Sequence, residues 1–137
     1  MSVAEHFFDT NVLLYLLSGD DAKADRAEDI LGEGGHISVQ VLNEFASIAT
    51  RKLKMSIAEV REVLAPIRAA CTVNPLTEDI HELGLQLVER YQMSMYDAMI
   101  AASALAAGCK TLVSEDFQDG QIIERVLRVH NPFVDHL

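Results

Sequence analysis

Four acidic residues of this sequence stand beside apolar segments, where their carboxylates would do chemistry if the fold gathered them. Asp9 and Asp116 come at or just after the ends of short apolar runs, and Glu44 and Asp97 fall in the first turns of apolar helical segments. Carboxylates that converge inside a protein repel one another unless a cation neutralises them. An all-oxygen donor set without paired His or Cys favours Mg²⁺, or Mn²⁺ in its place, over Zn²⁺.

Each of these acids also has a purely structural interpretation. Asp9 and Asp116 would suit turns or helix caps after strands. Asp97 stands three residues after Ser94, the spacing of a capping box, and Glu44 would point outward if the apolar stripe of its helix lay elsewhere. Because all four occur together beside apolar segments, we favour the interpretation that they form a metal site.

The elements that would position these acids alternate along the chain. Short, partly β-branched runs predict strands at His6–Asp9, Gly35–Val39, Ala70–Asn74, Lys110–Ser114 and Val126–His130. Amphipathic or apolar segments predict helices at Asn11–Leu17, Ala22–Leu31, Val41–Lys54, from Ser56 onward, Thr77–Tyr91 and Tyr96–Ala107. This alternation predicts an α/β fold with a mostly parallel sheet covered on both faces, whose ligands bind at the carboxyl ends of the strands.

Local signals place several helix ends. Thr10 or Asn11 is a possible cap of the first helix, and Ser56 with Glu59 three residues later has the capping-box spacing. Pro66 is expected to kink or end the helix that begins at Ser56 near residue 65, because proline lacks the N–H that an interior position requires. The last helical segment, Tyr96–Ala107, is apolar nearly all round, which is typical of a central buried helix.

Composition narrows the class of protein. The chain has 137 residues, is 50% hydrophobic and carries a net charge of −10, which indicates one globular domain over residues 1–137 and excludes intrinsic disorder. The acidic balance argues against a general nucleic-acid coat protein. No run approaches the ~20 apolar residues of a membrane span, so we expect a soluble, cytoplasmic protein. Cys71 and Cys109 are expected to be buried free thiols.

Two other classes of protein combine alternating strands and helices with a pocket of acidic residues. A receiver domain that binds Mg²⁺ without catalysing hydrolysis needs a phosphorylatable Asp at the end of its third strand, and the segment 71–75 has none. A phosphatase with an Asp-x-Asp loop needs a second carboxylate where this chain has Asn11. The chain also lacks the glycine-rich motifs of nucleotide cradles.

Four segments, taken in order and spacing, resemble the motifs of PIN-domain ribonucleases, in particular the VapC-like toxins of bacterial toxin–antitoxin pairs. They are Phe8-Asp9-Thr10-Asn11-Val12-Leu13-Leu14-Tyr15, Asn43-Glu44-Phe45, Tyr96-Asp97-Ala98-Met99-Ile100-Ala101-Ala102 and Leu112-Val113-Ser114-Glu115-Asp116-Phe117. The resemblance spans essentially the whole chain. It implies a three-layer sandwich with a mostly parallel central sheet flanked by helices.

The resemblance also implies Mg²⁺-dependent hydrolysis of RNA phosphodiester bonds. It assigns the catalytic acids as Asp9, Glu44, Asp97 and Asp116, the metal ligands as Asp9, Asp97 and Asp116, and the supporting polar residues as Asn11 and Ser114. The fourth acid falls two residues after the family's Ser or Thr, which selects Asp116 over Glu115. Whether Glu115 or Asp119 assists Asp116 is left open.

Partners follow from the same resemblance, which implies a homodimer and a separate antitoxin that blocks the site. Five of the eleven basic residues lie within a short stretch after Glu44, and among them Arg51, Lys52 and Lys54 are candidate contacts to RNA phosphates. The acid-rich stretch 20–33 is expected to form a solvated surface suited to a basic partner. A family member that only binds RNA or a partner is the alternative to an active ribonuclease.

Overall fold

The structure is a computed structural model that describes residues 5–133; residues 1–4 and 134–137 of the predicted domain lie outside this range. The strands are β1 (His6–Phe8), β2 (Gly35–Ser38), β3 (Cys71–Asn74), β4 (Thr111–Val113), β5 (Ile122–Ile123) and β6 (Leu127–His130). The helices are α1 (Thr10–Leu14), α2 (Asp21–Gly32), α3 (Val39–Arg51), α4 (Ile57–Ala70), α5 (Glu78–Tyr91) and α6 (Met95–Ala106). A 3-10 turn, Tyr15–Leu17, follows α1.

The six strands form one sheet in the order β3-β2-β1-β4-β6-β5. All neighbouring pairs are parallel except β5 with β6. Crossover connections between parallel strands are right-handed. The connections from β1 to β2 and from β2 to β3 run in the same direction along the sheet, so their helices cover one face of the sheet. The connection from β3 back to β4, through α5 and α6, runs in the opposite direction, so its helices cover the other face. The predicted α/β fold, with helices flanking a mostly parallel sheet, is confirmed.

This strand order differs from that of a receiver domain. Receiver domains have the order 2-1-3-4-5, with the third strand beside the first. Here β1 lies between β2 and β4, and β3 is at the end of the sheet. The order reverses between β1 and β4, and the carboxyl ends of those two strands therefore border the crevice in which open α/β sheets bind ligands.

The core explains why the last helix has no polar face. Residues 98–104 of α6 are all buried, as are Phe7 and Leu112 on the adjacent strands. Cys71 and Cys109 are buried free thiols, as predicted, and burial raises the pKa of each to about 11. Within residues 5–133, no helix is long and apolar enough to cross a membrane.

Predicted strands agree with the structure to within one residue at each end, but β5 was not predicted. It consists of Ile122 and Ile123 alone, which is too short to show a period-2 pattern. The helix α3 begins at Val39, capped by the Ser38 hydroxyl, and ends at Arg51, so the predicted range 41–54 was shifted. Lys54 has a φ of 59°, which excludes it from a right-handed helix.

The predicted cap of α1 and the predicted end of α4 near Pro66 were wrong. Asp9, not Thr10 or Asn11, caps α1, because its carboxylate accepts the Thr10 N–H. Pro66 does not end α4, which continues to Ala70. Proline has no N–H to donate to the carbonyl four residues earlier in the helix. Because Pro66 is exposed, that carbonyl lies on the solvent side of α4. The buried residues Val60, Leu64 and Ile67 hold the other side of the helix to the core.

Gly35 allows β2 to pack closely against β1. Its φ is +144°, and an added Cβ would lie 2.7 Å from Phe8 Cε2 and 2.8 Å from the carbonyl oxygen of His6. We expect Gly35→Ala to lower the free energy of unfolding by roughly 2–4 kcal/mol, measured by urea denaturation, because it adds both strain and overlap. Gly19→Ala, where nothing lies within 4 Å, is the control. Equal stability of the two variants would contradict this packing argument.

Candidate active site

A cleft of about 380 Å³ opens at the carboxyl ends of β1 and β4. Its lining includes all four acids singled out from the sequence, which are Asp9, Glu44, Asp97 and Asp116. They come from four separate segments: the end of β1, the middle of α3, the first turn of α6 and the loop after β4. The fold thus brings together residues that are far apart in sequence.

Pairing of β1 with β4 places the first and last of these segments side by side. Phe8 and Val113 are direct partners in the sheet, and the Asp9 N–H donates to the Val113 carbonyl at 3.0 Å. The two strands therefore end together, and the next residues of each, Asp9 and Ser114, leave the sheet as neighbours. The Ser114 hydroxyl donates to Asp9 Oδ2 at 2.7 Å.

Asp9 is the most buried of the four acids, with 4% of its surface exposed. Burial raises the pKa of its carboxyl to about 7. The hydrogen bonds from Ser114 and from the Thr10 N–H, at 2.7 Å each, oppose this rise, and the negative charges of Asp116 and Asp97 add to it. Asp9 is therefore a carboxylate that the protein leaves poorly compensated at neutral pH.

Asp97 lies in the first turn of α6 and also lines the cleft. Its backbone N–H donates to the Ser94 hydroxyl at 3.1 Å, which caps α6, while its carboxylate faces the cleft. Burial is the main cause that raises the pKa of Asp97; the charges of Asp116 and Glu44 act in the same direction, and a hydrogen bond with Ser94 opposes them. The structural and the functional interpretation of Asp97 are compatible.

Glu44 points into the cleft rather than outward, and both of its carboxylate oxygens are engaged. The Thr10 hydroxyl donates to Oε2 at 2.7 Å, and the Gln40 amide donates to Oε1 at 2.9 Å. Sequence reasoning did not single out Thr10 or Gln40 as site residues. The available signal for Gln40 was its position one helical turn before Glu44, where side chains of a helix meet.

Ser114 and Asn11 join the ends of β1 and β4 through hydrogen bonds. The Ser114 hydroxyl accepts from the Asn11 side-chain amide at 3.3 Å and from the Asp116 N–H at 3.0 Å. Asn11 Oδ1 also accepts the Glu115 N–H at 3.4 Å. These bonds fix the course of the chain from Ser114 to Asp116, which aims the Asp116 carboxylate at the cleft.

The other two acids near Asp116 have partners elsewhere. The Tyr15 hydroxyl donates to Glu115 Oε2 at 2.7 Å, in a smaller pocket beside the cleft. Asp119 accepts the Asn131 N–H at 2.9 Å. Neither Glu115 nor Asp119 is among the residues that line the cleft.

The basic residues predicted to contact RNA are placed differently from one another. Arg51 lines the cleft, and its Nε donates to the Ser47 hydroxyl at 3.0 Å. Lys52 and Lys54 are exposed and follow Arg51 outside the cleft lining. The structure therefore brings one of these three side chains to the four acids.

The acids suit a divalent cation by their donor chemistry. Among residues 5–133, no three His, Cys, Asp or Glu side chains already converge closely enough to hold a metal ion. Within the same range, none of the four carboxylates forms an ion pair with a basic side chain. A cleft that offers carboxylate oxygens, one of them on a buried Asp9 whose pKa is raised, fits a hard cation such as Mg²⁺ or Mn²⁺.

Fold and site together define an α/β protein with an acidic cleft at the topological switch point of its sheet. The family profile of the PIN domain matches residues 6–119, so this chain belongs to the PIN-domain family. The resemblance noted from the sequence is thereby confirmed. No curated protein matches the chain significantly.

Solved structures with the same fold come from toxin–antitoxin systems. A chain in a toxin–antitoxin complex from Klebsiella pneumoniae is 24% identical, with a TM-score of 0.70, and the match covers 93% of this chain and 98% of that one. VapC20 of Mycobacterium tuberculosis, described as a toxin that cleaves the sarcin–ricin loop, is 22% identical with a TM-score of 0.67 over 87% and 97% of the chains. A chain of VapBC2 from Rickettsia felis, bound to a promoter DNA fragment, is 18% identical with a TM-score of 0.64 over 92% and 98%.

The raised pKa of Asp9 predicts a pH dependence of stability. Between pH 3.8, the ordinary pKa of the carboxyl, and about 7, its pKa in the folded state, Asp9 is protonated in the folded protein and ionised in the unfolded chain. The contribution of this proton to the free energy of unfolding is therefore lost as the pH rises and is gone once the pH has passed through 7. In EDTA, we expect the wild type to lose up to about 4 kcal/mol relative to Asp9→Asn between pH 4 and pH 8. Urea denaturation of both proteins across this range measures the difference. An unchanged difference would show that Asp9 is not a strained carboxylate.

Proposed function

We propose that this chain is a Mg²⁺-dependent endoribonuclease and the toxin component of a toxin–antitoxin pair. The observation that carries the proposal is the convergence of Asp9, Glu44, Asp97 and Asp116 on one cleft of a PIN domain. The similar VapC20 cleaves the sarcin–ricin loop, which supports the same reaction class here. Each acid reaches the cleft from a different segment of the chain.

Asp9, Asp97 and Asp116 would hold the cation. When bound, a divalent ion lowers the pKa of a coordinated water and offsets the charge that develops on the phosphoryl oxygens. The Ser114 hydroxyl would orient the Asp9 carboxylate, to which it donates, and it accepts the backbone N–H of Asp116. Asn11 supports Ser114 by donating to its hydroxyl. Such supporting bonds tune the affinity of a site for its ion.

Glu44 would act beside the cation and Arg51 on the substrate side of the cleft. Glu44 is fixed by two neutral donors and keeps lone pairs with which it can hold a water, either one that completes the ligand set of the cation or the attacking one. Arg51 lines the cleft beside the acids and would bind a phosphate of the RNA, with Lys52 and Lys54 contacting the flanking backbone. A few cations beside the cleft are compatible with a net charge of −10 because only the local field attracts the substrate.

An antitoxin and a second copy of the chain are the proposed protein partners. The similar Klebsiella chain was solved in a toxin–antitoxin complex, and the similar Rickettsia chain belongs to VapBC2, which supports an antitoxin partner. An apolar groove of about 380 Å³ between α2 and α4 offers a surface for it, lined by Leu16, Leu31, Val63, Pro66 and Ile67. The acid-rich α2 borders this groove, so the segment that fills it would be apolar on one side and basic on the other.

Asp97→Asn is expected to lower Mg²⁺-dependent cleavage of total cellular RNA by about 100-fold or more, because it removes a charge that the cation needs. The matched control is Asp79→Asn, which makes the same exchange in the first turn of α5 at an exposed position. EDTA should abolish wild-type cleavage and excess Mg²⁺ should restore it. Cleavage by Asp97→Asn at the wild-type rate, or cleavage that persists in EDTA, would refute the proposed mechanism.

Val63→Lys is expected to weaken antitoxin binding at least 10-fold. The new lysine would place a positive charge in the groove, where it would repel the basic side chains of the antitoxin segment and disrupt its apolar contacts. Coexpression with a candidate antitoxin, sought among small proteins encoded by neighbouring genes, followed by affinity purification, measures retention of the complex. RNA cleavage by the purified variant serves as the control for folding. If the variant retains its antitoxin as well as the wild type does, the groove between α2 and α4 is not the binding surface.

A further inference from the structure

The side chain of Gln40 links two of the cleft's acidic segments. Gln40 is in the first turn of α3 and only 8% exposed. Its amide nitrogen donates to Glu44 Oε1 at 2.9 Å and to the carbonyl oxygen of Tyr96 at 3.4 Å. An amide group has two N–H donors, so this geometry uses both of them. The next residue after Tyr96 is Asp97, and the bridge therefore spans from α3 to the start of α6.

Glu44 has a second fixed contact on its other oxygen. The Thr10 hydroxyl donates to Oε2 at 2.7 Å, and Thr10 follows Asp9 directly at the end of β1. Glu44 is thereby held between the segment that carries Asp9 and the segment that carries Asp97. A carboxylate with both oxygens engaged by neutral donors keeps its charge and loses its rotational freedom.

We propose that Gln40 is a positioning residue that fixes Glu44 relative to Asp97, so that the cleft is ready to bind a divalent cation. This inference rests on the proposed function. The residue acts through Glu44 and touches neither cation nor substrate. A glutamine is required because a carboxylate at position 40 would repel Glu44 and an apolar side chain would leave Oε1 without its donor.

Gln40→Met removes both donors while it keeps the length and volume of the side chain. We expect it to weaken Mn²⁺ binding to the RNA-free protein about 10-fold and to lower kcat for Mg²⁺-dependent cleavage by a similar factor. The KM for RNA should change little, since Gln40 is buried away from the substrate. Gln86→Met, the same exchange at an exposed position of α5, is the matched control and should bind Mn²⁺ as the wild type does.

A double-mutant cycle separates positioning from a general effect on the fold. In Glu44→Gln protein, adding Gln40→Met should weaken Mn²⁺ binding no further, because the residue through which Gln40 acts is already changed. The proposal would be overturned if Gln40→Met lowered the Mn²⁺ affinity equally in the wild-type and the Glu44→Gln protein, or if it lowered the affinity in neither. Gln40→Leu, which also removes the amide donors without adding a charge, provides the same comparison if the methionine variant is unstable.

The two readouts keep the role of Gln40 distinct from the proposed function. Failure of the wild type to cleave RNA would reject the ribonuclease, while the Mn²⁺ cycle would still decide the role of Gln40. If the wild type cleaves RNA but Gln40→Met binds Mn²⁺ as tightly as the wild type, only the positioning role is rejected. Failure of the wild type to bind Mn²⁺ would overturn both.

Discussion

The burial of the Asp9 carboxylate at the end of β1, beside the segment that follows β4, dominates the physical chemistry of the cleft. Asp9 is buried, its pKa is raised to about 7 by that burial, and Asp116 and Asp97 add to the effect. A protein selected for stability alone would place such groups in solvent. A divalent cation in the cleft would supply the missing positive charge, and this is the physical basis of the proposed metal site.

The topology of the sheet determines which acidic residues lie together in the cleft. Because the strand order reverses between β1 and β4, the segments after these strands end at the same crevice. Hydrogen bonds then fix the orientation: Ser114 joins Asp9 to the loop that carries Asp116, and Gln40 joins Glu44 to the start of α6. Neutral donors hold the carboxylates without cancelling their charge, so the cleft remains attractive to a cation.

Much of this arrangement could be predicted from the sequence, for identifiable reasons. Apolar runs that end in an acid located Asp9 and Asp116, and the unbroken apolar surface of residues 98–104 indicated the buried helix that carries Asp97. What could not be predicted depends on tertiary contact or solvent exposure. The continuation of α4 through exposed Pro66, the contacts of Thr10 and Gln40 with Glu44, and the separation of Lys52 and Lys54 from the cleft are visible only in three dimensions.

The location of a bound cation decides whether the acidic cleft is a metal site. Anomalous scattering from Mn²⁺ in crystals of the wild-type protein would locate the ion without reference to activity. We expect a peak inside the cleft, among the carboxylates of Asp9, Asp97 and Asp116. An empty cleft at saturating Mn²⁺, or a peak only in the separate cavity that contains His6 and His130, would contradict this expectation.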